Sequence, residues 1–235
     1  FPSLPLLPYH NAKTAPMFEY MGAVLIEGCK WCGKSTTARQ VAKSYIEFQD
    51  PDKKLQYDKT NQTKPSLFLV GEKPRLFDEW QMYPVVWDSI RMDLDHTGLK
   101  GQYILTGSAR PAESSVMHSG TGRISKLLMR PMSLYESGES DGTVSLKSII
   151  DGKDIESVSS LDFDNLIDVM VRGGFPASLD VSDDNKYKIA KEYVKSLLNE
   201  EIKSLDGVKK NASKMSAVLK SISRNISTNV NKSTI

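Results

Sequence analysis

The sequence predicts an α/β chain: a doubly wound, mostly parallel sheet followed by a small all-α unit. Three observations carry this. Continuous apolar runs, AVLIEG (23–28), RLFDEW (75–80) and GQYILTGSA (101–109), end in glycine, carboxylates or small polar residues, as strands buried on both faces do. Helix-forming segments alternate with them. Beyond Glu136 the strand pattern stops and helical periodicity remains.

AVLIEG reads as the first strand, and KSTTARQVAKSYI (34–46) follows as a helix, with Ala38, Val41, Ala42 and Tyr45 at spacings of three and four. YIEFQDPD (45–52) reads as a second strand closed by Asp50-Pro51, and KKLQYDKTNQTKP (53–65) as a polar, exposed connection. RLFDEW is the next strand. VVWDSIRMDLDH (85–96) is a helix stopped by Gly98, and GQYILTGSA a further buried strand. PAESSVMHSGTGRISK (111–126) reads as a long mobile loop, and LLMRPMSLYE (127–136) as an edge strand, because Pro131 has no N–H for a central ladder. SLDFDNLIDVMVRGGFP (160–176) and NKYKIAKEYVKSLLNEEIKSL (185–205) are helical.

A net charge of +2 gives no global polyanion signal. From Lys203 onward, however, seven basic residues face only Asp206, so this tail carries +6. Two cysteines three apart cannot staple 235 residues, and with abundant Lys and Glu this fits a reducing, cytoplasmic setting. The opening FPSLPLLPYH holds three prolines and no basic leader, a poor signal peptide, and no stretch is long and apolar enough for a membrane span. The chain begins at Phe1 and stops inside NVNKSTI, as a fragment would.

GCKWCGKST (28–36) carries two motifs at once. Gly28, Gly33, Lys34 and Ser35 satisfy G-x-x-x-x-G-K-S, a loop whose amides curl around phosphates while Lys bridges the terminal ones and the hydroxyl holds magnesium. The loop positions Cys29, Lys30, Trp31 and Cys32, with Thr36 beyond, complete the binding stretch. Cys29 and Cys32 also form a C-x-x-C pair at a helix start, the setting of thioredoxin-type thiols. That chemistry has no need of Gly33-Lys34-Ser35, so phosphate binding is the main reading. His10, His96 and His118 are not at zinc-ligand spacing. A Cys29–Cys32 disulfide that distorts the loop and turns nucleotide binding off is a further expectation.

Nucleotide hydrolysis needs a magnesium-facing carboxylate on a neighbouring strand and a base to orient water. RLFDEW supplies Asp78 for the metal and Glu79 for the water. Thr106 and Ser108 end the next strand, where either could reach the γ-phosphate or the attacking water, or simply form a turn. Of Arg110, Arg123 and Arg130, Arg123 in the GTGR segment is the candidate arginine for a neighbouring subunit's γ-phosphate, with a plain surface arginine as the alternative.

GAVLIEGCKWCGKSTTA, PRLFDEWQ, YILTGSA, HSGTGRI, RPMSLYESGES and RGGFP, in this order over residues 20–180, resemble prokaryotic AAA-type P-loop ATPases with an uncharacterised C-terminal domain. Where this chain has Cys29 that family more often has Pro, so the resemblance makes the C-x-x-C incidental. It implies ATP with Mg2+, an N-terminal segment (1–20), an ATPase core (21–136), a helical lid (137–205) and the start of a winged helix (206–235), cut before its recognition helix and before a nuclease-like portion. It also implies Arg172 as a lid residue folding back on the nucleotide, against the alternative of a helix end closed by Gly173-Gly174. The resulting expectation is slow ATP hydrolysis driving movement of the lid and C-terminal domain, in a possible homo-oligomer without a membrane partner. A nucleotide-gated switch binding DNA through the basic C-terminal region is the alternative.

Overall fold

The computed structural model describes residues 16–107, 120–182, 185–198 and 211–231. Five strands, β1 (Ala23–Glu27), β2 (Ser44–Glu47), β3 (Arg75–Asp78), β4 (Tyr103–Gly107) and β5 (Ile124–Leu128), form one sheet in the order β2-β3-β4-β1-β5. All four pairings are parallel, so every strand's carboxyl end lies along one edge.

Alternation along β1 divides the core between two faces. Ala23 and Leu25 join Phe77, Leu105, Phe48 and the buried side of α3 (Val85–Thr97), whose Val86, Trp87, Ile90 and Leu94 point inward. Val24 and Ile26 join Leu76, Ile104, Met129 and Ala38 of α1 (Lys34–Val41) on the other face. Helices cover both sides, and for that reason these strands read as continuous apolar runs.

Three sequence expectations are corrected. α1 stops at Val41: Ala42 is already extended, and Lys43 donates to Pro74 O at 2.9 Å as the chain enters the ladder beside β3. Tyr45 thus lies on β2, exposed, rather than on a helix. The polar stretch after Pro51 is a helix, α2 (Lys54–Thr63), whose single buried residue Tyr57 packs edge-on against Phe48 with ring centroids 5.4 Å apart. β5 begins at Ile124, inside the expected loop, and Pro131 lies beyond it. The edge position holds, but strand order produces it and not the proline.

The chain divides into two compact units, Phe1–Asp180 and Val181–Ile235. In the first, α4 (Leu146–Ile150) and α5 (Phe163–Arg172) follow the sheet; α5 is capped by Asp162, whose carboxylate accepts from Asn165 N at 2.8 Å. The second contains α6 (Lys186–Ser196) and α7 (Ala212–Arg224), the latter capped by Asn211. No helix among the described residues is long and apolar enough to cross a membrane.

Candidate functional site

The loop joining β1 to α1 lies at the carboxyl edge of an interior strand. Gly28 opens it where no side chain fits: a Cβ there would meet Met129 O at 2.3 Å. Trp31 and Gly33 both take left-handed backbone, φ 66° and 97°, which curls the chain as a phosphate-facing turn requires. Gly33 caps α1, its carbonyl accepting from Thr37 N at 2.9 Å. Lys34 is 6 % exposed and donates from Nζ to Cys29 O at 2.8 Å, which holds the ammonium over its own loop. Lys30, Trp31 and Thr36 are exposed.

Both cysteines are thiols. Cys32 is fully buried beneath the loop, its Sγ 3.9 Å from Met129 O. Its hydrogen bond with Cys29, and then burial, hold its thiol well above the ordinary range, and the nearby Lys34 charge does not offset them. Cys32 packs with Val24, Ile26 and Met129 in the core cluster on the α1 face of the sheet.

Ser35 Oγ donates to Asp78 Oδ1 at 2.7 Å, and Thr106 Oγ1 donates to the same oxygen. The parallel register explains why: Asp78 pairs with Thr106 across β3 and β4, and β1 beyond β4 delivers the loop. Thr106 is completely buried and serves Asp78, so it does not offer a free hydroxyl to a phosphate. Glu79 follows β3 in left-handed backbone, φ 55°, and with Glu47, Asp50 and Asp78 lines a cleft of about 280 Å³.

Two of the candidate arginines are held by carboxylates. Arg123 precedes β5, and its carbonyl accepts from Ala23 N at the start of β1. It therefore occupies the sheet edge opposite its own loop, where Nε donates to Asp95 at 2.6 Å, and cannot reach phosphates bound there. Arg172 donates from Nη1 to Glu139 at 2.6 Å with both side chains largely buried, a pairing that the Gly-Gly sequence after it did not signal. Ser108 lies outside the described residues.

A sequence profile described as AAA domain matches residues 21–138, half of the chain. The chain belongs to the AAA family. This AAA protein is thus an ATPase of the P-loop class, and the matched span covers the loop, β3 and β4. A second profile, described as a domain of unknown function, matches residues 163–235. None of the curated proteins matches the AAA chain significantly. Among solved structures, the Walker-type ATPase PABY2304 of Pyrococcus abyssi aligns at 16% identity and TM-score 0.48, over 93% of this chain and 78% of that one. The replication initiator DnaA, bound to AMPPCP and single-stranded DNA, aligns at 12% identity and TM-score 0.37, over 95% and 70%.

The site of this AAA chain has one member that motif reading passed over. Gln81 donates from Nε2 to Glu79 Oε2, and the only sequence signal was its place in DEWQ.

Proposed function

We propose that this AAA domain binds ATP with Mg2+ and hydrolyses it slowly. The observation that carries the reading is the 2.7 Å hydrogen bond from Ser35 to Asp78, which joins the hydroxyl of the phosphate loop to the carboxylate of a strand two places away. Lys34 and the loop amides hold the phosphates. Ser35 and Asp78 would hold Mg2+, and a hydroxyl plus a carboxylate on a rigid sheet edge suits a hard cation. When bound, that ion neutralises charge on the phosphate oxygens. Thr106 steadies Asp78, and Glu79 orients the attacking water. Glu79→Gln is expected to retain ATP binding and lose turnover; full turnover would remove Glu79 from the mechanism. Lys34→Ala is expected to abolish binding, read by calorimetry.

Movement of the segment after the sheet is the proposed use of hydrolysis. α5 supports it by leaving Phe163, Met170 and Val171 exposed, an apolar face available to a changing contact. Arg172 would act on the nucleotide only after leaving Glu139. Arg123 would act only on a neighbouring subunit, which a mass measurement in ATP tests.

A second reading, DNA binding gated by nucleotide, is favoured by one feature of the C-terminal unit: Lys191, Lys195 and Lys220 line a single groove between α6 and α7. DNA affinity that falls with salt and depends on ATP would support it.

A further inference from the structure

The geometry points to Gln81 as a positioning residue for the proposed base, an inference that rests on the reading of Glu79 above. Three observations converge. The amide nitrogen of Gln81 donates to Glu79 Oε2, so the carboxylate is tied to a second side chain. The other end of the same amide packs onto the last residue of β4: a Cβ added at Gly107 would lie 2.5 Å from Gln81 Oε1 and 3.3 Å from Trp80 Nε1. The backbone between is fixed, because Met82 N and Tyr83 N donate to Glu79 O and Trp80 O at 3.0 Å, and the ring of the buried Trp80 packs at a tilt against Trp87, centroids 4.9 Å apart.

Gln81 therefore spans from the carboxylate to the end of β4. Glu79 leaves its strand in left-handed backbone and lines an open cleft, a place where a carboxylate on its own has several rotamers available. One donor from a fixed turn selects among them. The absence of a side chain at Gly107 makes room for the oxygen end of that amide, so the aim of Glu79 depends on the strand that also carries Thr106.

The test is Gln81→Met in the full chain, which keeps the length that packs on Gly107 and removes the amide. Expected are a kcat about 10- to 100-fold lower, the cost of a misplaced reacting group, a KM for ATP and an affinity for a non-hydrolysable analogue within about twofold, and an unchanged melting temperature. In the residual turnover of Glu79→Gln, adding Gln81→Met should cost nothing further. Gly107→Ala, which displaces Gln81 by contact, should reproduce the kcat loss. Normal turnover in Gln81→Met, faster turnover, or the same fold-loss with and without Glu79 would overturn the assignment. Lost turnover in Glu79→Gln beside normal turnover in Gln81→Met removes Gln81 alone. Full turnover in Glu79→Gln removes the base, and the role of Gln81 with it.

Discussion

Ser35 and Asp78, forty-three positions apart, are joined by a 2.7 Å hydrogen bond at the carboxyl edge of the sheet. Asp78 Oδ1 accepts from Thr106 as well, so one carboxylate oxygen gathers the phosphate loop, β3 and β4. Ser35→Ala should then leave the loop folded while removing most of the gain in nucleotide affinity that Mg2+ confers, roughly 10-fold. Calorimetry with Mg2+ and with EDTA reads the difference. An undiminished Mg2+ effect in the variant would take Ser35 out of the metal site.

The two thiols of the loop should behave unequally. Cys32 is fully buried with its thiol pushed up, whereas Cys29 is half-buried. Alkylation near neutral pH, read by mass spectrometry, is expected to add at most one group to the native protein and two after guanidinium. Nucleotide affinity should match in reduced and peroxide-treated protein, since a buried thiol of raised pKa is a poor partner for disulfide formation. Lower affinity after oxidation, restored by reductant, would reinstate the redox reading.

Much of the sheet was legible because burial on both faces writes an apolar run, and β1, β3 and β4 have nothing else to be. α2 was hidden for the opposite reason. Tyr57 is its single buried residue, and one in ten leaves no period to detect. The reach of α1 was overestimated because Tyr45 falls at helical spacing, while pairing of Ser44–Glu47 with Arg75–Asp78 decides its state. In the site, Lys34, Ser35 and Asp78 follow from local spacing plus strand ends. Glu139 as the partner of Arg172, and Asp95 as that of Arg123, depend on contacts between distant segments that no spacing encodes.

The Arg172–Glu139 pair should appear as acid-labile stability. Burial pushes the Glu139 carboxyl up, but hydrogen bonds from Arg172 and Ser137 outweigh it and hold the group below the usual glutamate value. A depressed carboxyl stabilises the fold above the unfolded value and stops doing so as pH falls through the folded one. Arg172→Met is therefore expected to cost about 2 kcal/mol at neutral pH, shrinking in acid as wild type also loses the pair. Urea titrations at several pH values read both. A cost that does not vary with pH would mean that Arg172 matters through packing alone.

Lys73 gives a dependence of the same sign, at alkaline pH. Its ammonium sits 3.8 Å from the centre of the Tyr103 ring and donates to Leu69 O at 2.7 Å. Burial lowers its pKa to about 8, with Asp93 opposing and Arg75 adding to the shift. The folded value lies below the unfolded 10.5, so between them the unfolded chain binds the extra proton and stability gains with pH from this group. Cys32 works against it, because the unfolded thiol ionises above about pH 9 while the buried one does not. Tyr103, pushed up by burial and by its bond to Asp93, does the same at higher pH. The contribution must therefore be read as a difference: from about pH 7 to about 9.5, stability of wild type relative to Lys73→Met should climb steadily. Parallel curves for the two proteins would show that Lys73 keeps its proton in the fold as readily as in the unfolded chain.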